Sequence, residues 1–235
     1  MKISLLVPTR GRPGSMQRLW DSAVSTADDK ENLEIVFYMD NDDHYSLKQF
    51  EKMDSPQHHG IVGNRIVLSE MWNECQKIAT GEIYQHCGDD LVFRSKGWDT
   101  LVRNHISSFE DKIAFVYGRD GIQDEKLGTH GFLHKNWVNA VGYFVPPYFS
   151  CDFNDTWLTE VSSLIGRRIY EPNIFTEHMH WAVGKQPRDQ TYSDTIARGN
   201  RDNVQQKYDS MKKNREEDAQ KLRDFIDSVK NSKKK

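Results

Sequence analysis

The sequence has few of the features that mark disulfide-rich or zinc-binding proteins. Only three cysteines occur among 235 residues: Cys75, Cys87 and Cys151. They are odd in number, lie far apart and show no C-x-x-C or C-x-x-H spacing, so they suit neither a disulfide framework nor a structural zinc site. We therefore expect three core thiols and a reducing compartment.

Long apolar runs are also absent. The N-terminal run from Ile3 to Val7 ends at Pro8, too early for a signal peptide and far too early to cross a bilayer. We therefore expect a soluble cytoplasmic protein with no membrane span. The formal net charge is −3, with 29% charged residues, so composition neither suggests nor excludes nucleic acid as a partner.

The apolar pattern of the first half predicts alternating strands and helices in a chain long enough for one large domain. Strands are predicted at 3–8, 34–39, 65–68, 82–87 and 113–117. Helices are predicted at 16–24, 45–53, 69–79 and 98–106, with Ser69 as the N-cap of the third helix and Gly81 as its C-terminal cap. This alternation indicates an α/β fold, with a mostly parallel sheet and helices on both faces.

The second half is less regular. Residues 120–150 are rich in glycine, proline and aromatic residues, which predicts short strands and loops around one short helix. A helix is predicted at 155–166, and a strand-like run precedes Glu177. Apolar residues at helical intervals then predict a lysine-rich helical tail that ends in disordered Lys233 to Lys235. We accordingly expect a main domain at 1–195 and a tail at 196–235.

Arginines, acids and glycines follow the predicted strands, at the edge where an open α/β sheet binds ligands. These segments are Pro8-Thr9-Arg10-Gly11-Arg12, Asp40-Asn41-Asp42-Asp43 and Gly88-Asp89-Asp90. A metal-chelated nucleotide diphosphate suits such a rim, because a divalent cation on carboxylates neutralises the charge of a departing diphosphate. Asp40 is expected to accept hydrogen bonds from the base or ribose. Phosphate contacts or base stacking are expected from Arg10, Arg12 or Arg65.

The alternative for these residues is purely structural, since acids are common in turns and arginines are commonly solvated. The turn at Asp89 and Asp90 lies between two apolar runs, however, which is unusual for a solvent loop. Later in the chain, Asp155 is a candidate general base, with helix capping as its alternative. His178 and His180 are candidates to complete a metal shell or to contact the diphosphate, with a structural role as the alternative for either.

Four motifs occur in order within about residues 3–185. They are Leu-Leu-Val-Pro-Thr-Arg-Gly-Arg-Pro, Met-Asp-Asn-Asp-Asp, Glu-Met-Trp-Asn-Glu-Cys with Ala-Thr-Gly-Glu-Ile-Tyr, and Gly-Asp-Asp-Leu-Val-Phe. This ordered set resembles family 2 glycosyltransferases and their GT-A relatives. The resemblance implies a GT-A (Rossmann-like) fold, a nucleoside-diphosphate-sugar donor, and a divalent metal, Mn²⁺ or Mg²⁺. It further implies a nucleotide pocket formed by Pro8, Thr9, Arg10, Arg12 and Asp40, with Arg65 beside it.

By the same resemblance, Asp89 and Asp90 stand in for the D-x-D metal motif. Gly88 takes the place of the first Asp, which leaves Asp90 as the favoured metal ligand and Asp89 as a sugar or ribose contact. Asp155 matches the acid that precedes the acceptor-side helix. The late histidines, His178 or His180, match a metal ligand found in several such enzymes.

The compact chain is also similar to small phage-encoded glycosyltransferases, some of which glycosylate modified DNA bases. DNA is therefore one candidate acceptor, with the host cytoplasm as the expected location. Two other functions stay open from the sequence. One is a sugar-phosphate nucleotidyltransferase, although the glycines and the Pro-Lys typical of that class are missing around Thr9-Arg10. The other is a sugar- or nucleic-acid-binding module without catalysis.

Overall fold

The computed structural model describes residues 1–232, and the predicted disordered end at Lys233 to Lys235 lies outside this part. Strands and helices alternate through most of the chain. The strands are β1 (Ile3–Thr9), β2 (Leu33–Asp40), β3 (His58–Gly63), β4 (Ile83–His86), β5 (Leu91–Phe93), β6 (Phe115–Arg119), β7 (Phe132–His134) and β8 (Arg168–His178). The helices are α1 (Pro13–Thr26), α2 (His44–Lys52), α3 (Leu68–Ile78), α4 (Trp98–Ser107), α5 (Lys135–Val141), α6 (Asn154–Leu164), α7 (Gln190–Asp202), α8 (Val204–Ser210) and α9 (Lys212–Ser232).

The strands form one sheet in the order β3-β2-β1-β4-β7-β6-β8-β5. Its first half is parallel, from β3 through β2 and β1 to β4. In the second half β7 runs antiparallel to β4 and β6, β8 is parallel to β6, and β5 is antiparallel to β8. The predicted α/β class is confirmed. The predicted mostly parallel sheet is also confirmed, since more of its strand pairs are parallel than antiparallel.

Apolar side chains from helices cover both faces of the sheet, as predicted. On one face, Leu19 of α1 and Trp98 of α4 join the core side chains of β1 and β2. On the other, Trp72 of α3, Trp157 of α6 and Leu222 of α9 form a second core. Because each face is covered, the central strands read as continuous apolar runs without alternation. This is why β1 and β2 were readily predicted.

The predicted third strand at 65–68 is wrong, since β3 lies earlier, at His58–Gly63. β3 is an edge strand that pairs only with β2, and its alternate residues are exposed. Gly60 and Gly63 lie so close to the rings of Phe50 and Tyr38 that a Cβ atom at either position would clash. Glycine at these positions removes the apolar signal on which the prediction depended.

The predicted caps of α3 are also wrong. The helix begins at Leu68 with Val67 as its N-cap, and Ser69 lies in the first turn with its hydroxyl donating to the carbonyl of Phe149. At the other end, Ala79 is the C-cap in an extended conformation. Gly81 instead allows the backbone to lie close to the side chain of Ser4, because a Cβ at this position would lie 2.3 Å from Oγ of Ser4.

The C-terminal helices pack on the main body of the chain. Leu222 and Ile226 of α9 and Val204 of α8 are buried in the second core. The predicted helical character of this region is confirmed, while the division at residue 195 stays a prediction. All three cysteines are free and buried, as expected. Within residues 1–232, no helix has the length and apolar character needed to cross a membrane.

Candidate functional site

One cavity, of about 280 Å³, lies beyond the carboxyl ends of β1, β2 and β4, where an open α/β sheet binds ligands. The structure brings every residue proposed from the sequence to its lining: Pro8, Thr9, Arg10, Arg12, Asp40, Arg65, Asp89, Asp90, Asp155, His178 and His180. The fold therefore gathers at one rim side chains that are far apart in the sequence. Whether each has the role expected of it depends on its local contacts.

The loop between β1 and α1 forms the first wall of this cavity. Gly11 has a φ of +68°, which glycine adopts without strain, and its N–H donates to Oδ2 of Asp43 at 2.7 Å. Nη1 of Arg10 donates to Oδ2 of Asp40 at 2.7 Å and to Oδ1 of Asp42 at 2.5 Å. The turn thus holds its first arginine against the acids that end β2.

Asp40 is fully buried, yet among residues 1–232 only one of its carboxylate oxygens has a partner. Arg10 donates to Oδ2, and Nε of Arg65 lies 3.9 Å from the same atom, whereas Oδ1 has no hydrogen bond to these residues. Burial raises the pKa of Asp40, against the opposing effect of Arg10. A buried acceptor without a partner costs about 1–3 kcal/mol. Oδ1 is accordingly available to a donor group of a ligand.

Arg12 connects this loop to the acidic turn after β4. Its Nη1 donates to Oδ1 of Asp89 at 2.8 Å, and the hydroxyl of Thr9 donates to Oδ2 of Asp89, also at 2.8 Å. Both oxygens of Asp89 are therefore occupied by donors of the protein. The other side of the guanidinium faces Asp189, to which Nε and Nη2 donate at 2.6 and 3.0 Å in a bidentate pair.

Three side chains in the cavity form a group that can hold a metal ion: Asp90, His130 and His178. One ligand atom from each lies within 4.8 Å of the others, and Nε2 of His178 is 3.3 Å from Oδ2 of Asp90. Imidazole and carboxylate together are a common donor set for divalent transition metals. His180 lies beside His178, with ring centroids 5.0 Å apart, but outside this group, and its Nδ1 accepts from the N–H of Ala182.

Burial and neighbouring charges shift the pKa values of all three side chains in this group. Burial, reinforced by nearby His178, lowers the pKa of His130 to about 3, so its ring is neutral, and both ring nitrogens are buried without a partner. Despite its burial, His178 has its pKa raised to about 9 by Asp120 and Asp90. Against the cost of burial, His178 in turn lowers the pKa of Asp90. A metal ion in such a group takes the place of the proton held between imidazole and carboxylate.

Asp155 lies in the first turn of α6, after two residues with a strained backbone. Asp152 and Phe153 have φ of +42° and +58°, a conformation that costs a non-glycine residue about 1–3 kcal/mol and is frequent at functional sites. Phe153 is the N-cap, and Oδ1 of Asp155 accepts from the N–H of Thr156 at 2.7 Å, so Asp155 is not the N-cap. Burial, with a contribution from Asp152, raises the pKa of Asp155 to about 6.

The start of α7, with the residue before it, contributes a further wall that was not predicted; we call Asp189 to Thr195 the α7 segment. The hydroxyl of Tyr192 donates to Oδ2 of Asp90 at 2.7 Å, and Oδ2 of Asp194 lies 2.5 Å from Nη2 of Arg65. The segment thus engages residues proposed for both the metal and the nucleotide. Its polar residues form no local motif that would have revealed this.

His130 was missed for a topological reason. β7 runs antiparallel to β4, with Phe132 opposite Gln85, so the residues just before β7 lie beside the carboxyl end of β4. If the sheet were entirely parallel, only the carboxyl ends of its strands would lie at this edge. Residues that precede a strand were therefore not candidates. A histidine two residues before an antiparallel neighbour of β4 is the signal that could have identified it.

No protein-family model and no curated protein matches the sequence. Among solved structures, it is similar to the mannosyltransferase PcManGT from Pyrobaculum calidifontis, in complex with GDP-Man and Mn²⁺, with a TM-score of 0.61 and 16% identity over 75% of this chain and 56% of that one. It is also similar to S. aureus TarS 1-349 in complex with UDP-GlcNAc, with a TM-score of 0.60 and 14% identity over 82% and 61%. The chain spans less than two thirds of these neighbours, which establish a GT-A-like fold.

Proposed function

We propose that this chain is a metal-dependent glycosyltransferase, which moves a sugar from a nucleoside-diphosphate sugar to an acceptor hydroxyl. The observation that carries the proposal is the set of side chains gathered in one cavity at the carboxyl ends of the parallel strands. It combines arginines, a carboxylate–histidine group and a separate carboxylate of raised pKa. Neighbours of the same fold bind GDP-Man or UDP-GlcNAc, which supports a sugar-nucleotide donor here.

The donor nucleotide is proposed to bind along the loop that contains Pro8 and Thr9. The unpaired Oδ1 of Asp40 can accept a hydrogen bond from the base or ribose. The guanidinium groups of Arg10, Arg12 and Arg65 are placed along the same wall, where they can bind phosphate oxygens. Burial raises the pKa of Asp89 to about 6, and Arg12 opposes this rise and orients the carboxylate through its 2.8 Å hydrogen bond.

A divalent ion, Mn²⁺ or Mg²⁺, is proposed to bind at Asp90 and His178, with His180 nearby. When bound, such an ion neutralises the negative charge that develops on the departing diphosphate. Oδ2 of Asp90 already faces the imidazole of His178 at 3.3 Å. Asp89 holds no free carboxylate oxygen, since Thr9 and Arg12 donate to both. This supports Asp90 as the ligand, and Asp89 is proposed to orient Arg12 toward the donor.

Asp155 is proposed to take the proton from the attacking hydroxyl. Its carboxylate lines the same cavity as the metal group, and burial raises its pKa to about 6, close to the pH at which a general base is most effective. Direct attack assisted by such a base inverts the anomeric centre. If the reaction instead retains configuration, Asp155 would orient the sugar. A hydroxyl of DNA, with the host cytoplasm as the location of a phage-type enzyme, is one candidate acceptor to be tested.

The experiment that tests this proposal is a thermal-unfolding panel of nucleoside diphosphates, each with and without Mn²⁺. A ligand at 100 times its Kd stabilises the native state by about 2.7 kcal/mol, which gives a measurable rise in Tm. We expect an Mn²⁺-dependent rise with one base, lost in Asp90→Ala and kept in Asp155→Asn. A rise without turnover of any donor sugar would favour a binding module, and nucleotidyl transfer from a nucleoside triphosphate would favour a nucleotidyltransferase.

A further inference from the structure

A buried carboxylate outside the predicted site supports both histidines of the metal group. Asp120 follows β6 and is 2% exposed. Its Oδ1 accepts from the N–H groups of Ile122, Gln123 and Asp124 at 2.7 to 3.0 Å. These bonds fix the carboxylate in one orientation and offset the cost of burying its charge.

The other oxygen of Asp120 faces the two histidine-bearing segments. Oδ2 accepts from the hydroxyl of Thr129, the residue before His130, at 3.0 Å. The same oxygen lies 3.9 Å from Nδ1 of His178, on the side of the ring away from Asp90. In addition, the N–H of His178 donates to the carbonyl of Asp120 at 2.9 Å. One residue therefore contacts both segments that carry the imidazoles.

His130 itself has no structural partner that explains its burial. Neither ring nitrogen has a hydrogen bond among the described residues, and the ring packs edge-on against that of His178 at 4.8 Å. Leaving a buried polar atom unsatisfied costs about 1–3 kcal/mol, which a ligand to that nitrogen would relieve. His180, by contrast, already uses Nδ1 to accept from Ala182 and lies outside the group of three.

From these contacts we infer that His130 is the third protein ligand of the metal, with Asp90 and His178, and that Asp120 is the residue that positions both imidazoles. This inference rests on the metal site of the proposed function and replaces His180 by His130 within it. A carboxylate behind a ligating imidazole fixes the orientation of the ring and raises its basicity. Oδ2 of Asp120 lies 3.9 Å from Nδ1 of His178 on this side of the ring, and Asp120 acts on His130 through Thr129.

The first test is the number of imidazoles bound to Mn²⁺ in the full chain without nucleotide, measured by pulsed electron paramagnetic resonance of the coordinated nitrogens. We expect two nitrogens in the wild-type protein, one in His130→Ala and two in His180→Ala. These two variants are a matched pair, since both remove one histidine that lines the cavity. One nitrogen in the wild-type protein, or the loss of a nitrogen in His180→Ala but not in His130→Ala, would overturn the assignment.

The second test concerns Asp120 and uses calorimetric titration with Mn²⁺. Asp120→Asn should weaken metal binding about 10- to 100-fold. The matched control is Glu177→Gln, which removes a carboxylate next to His178 that instead pairs with Arg94 and Lys185, and it should change the Kd less than about threefold. Equal effects of the two variants, in protein with native circular dichroism, would refute a positioning role for Asp120.

The outcomes also separate this inference from the proposed function. If Mn²⁺ binds with one imidazole and supports nucleotide binding, the proposed function stands and the inference fails. If Mn²⁺ does not bind, the inference fails together with the metal requirement, and nucleotide binding without metal then decides whether a sugar-nucleotide site exists. The nitrogen count in wild-type protein keeps the inference testable even if Asp120→Asn does not fold.

Discussion

Arg12, which lines the cavity, forms a bidentate ion pair with Asp189 of the α7 segment, with Nε and Nη2 of the guanidinium 2.6 and 3.0 Å from the two carboxylate oxygens. A diphosphate would use the same N–H groups, because phosphate oxygens, like carboxylate oxygens, can accept two parallel hydrogen bonds from a planar guanidinium. In the proposed function, the α7 segment therefore competes with the donor for Arg12. The pair must open, or rearrange, when a diphosphate binds.

Asp189→Asn is consequently expected to tighten nucleoside-diphosphate binding. The variant removes the competing charge from a partly exposed pair, and such pairs contribute about 1 kcal/mol or less, so we expect up to a fivefold decrease in Kd, roughly. Calorimetric titration with the nucleotide identified by the thermal panel measures this. Asp21→Asn, on α1 outside the cavity lining, is the control. Weaker binding in Asp189→Asn would mean that Asp189 assists the ligand.

Asp40→Asn should weaken nucleotide binding about 10- to 150-fold, since one hydrogen bond to a buried charged acceptor contributes about 1.5–3 kcal/mol. Asp42→Asn is the matched control, because Asp42 also binds Arg10 but is exposed and outside the cavity lining. It should leave the Kd nearly unchanged. If the two variants weaken binding equally, the effect comes through Arg10, and the unpaired oxygen of Asp40 has no direct contact with the nucleotide.

The rate of sugar transfer should depend on the protonation of Asp155. A general base acts in its charged form, so with a pKa of about 6 the rate should rise with pH through that value and level off above it. Donor hydrolysis, with water as acceptor, can be followed between pH 5 and 8. In Asp155→Asn the residual rate should lack this step. An unchanged profile in the variant would remove Asp155 from the proton transfer.

The same raised pKa predicts that Asp155 costs stability. Its folded-state pKa of about 6 exceeds the ordinary value of 3.8, so the folded state binds the proton more tightly and the free energy of unfolding falls as pH rises between these values. Asp155→Asn should therefore raise the free energy of unfolding at pH 7 by about 1–3 kcal/mol. Urea titrations at pH 4 and pH 7 test this, because the gain should be much smaller at pH 4. A loss of stability at pH 7 would contradict it.

Glu34 should behave in the opposite way. It is fully buried in β2, where, against the cost of burial, Lys2, Ser4 and Thr80 lower its pKa to about 2. A depressed pKa contributes stability that is present above the ordinary value of 4.5 and is lost as pH falls toward 2. Glu34→Gln should lower the free energy of unfolding at pH 7 by about 3 kcal/mol, because the charged carboxylate that accepts from Lys2, Ser4 and Thr80 is lost. An equal loss at pH 2 would show that lost packing, and not charge, is responsible.

The parts of this fold that could be predicted are those whose signal is local. β1 and β2 are continuous apolar runs, and Asp40, Asp89 and Asp90 follow such runs directly. Because open α/β sheets bind ligands at the carboxyl ends of their strands, these three residues could be proposed from the sequence. β3 was misplaced because an edge strand containing Gly60 and Gly63 has little apolar pattern.

The rest of the site depends on tertiary pairing that no local pattern records. His130 meets Asp90 only because β7 is antiparallel to β4. Asp120 meets His178 only because β6 and β8 are neighbours. Tyr192 reaches Asp90 across a separation of 102 residues. His130 and Asp120 lie in irregular stretches and Tyr192 in the first turn of α7, so sequence periodicity could not distinguish them from solvated residues.

The most direct test of the proposed function is the release of nucleoside diphosphate from a panel of nucleoside-diphosphate sugars, with purified wild-type protein and Asp90→Ala. We expect release from donors of one nucleotide class, dependent on Mn²⁺ or Mg²⁺, and at least 100-fold slower in the variant, roughly the effect of losing a charge-stabilising group at a reacting centre. Folded wild-type protein that neither binds nor turns over any of these donors would contradict the proposed glycosyl transfer.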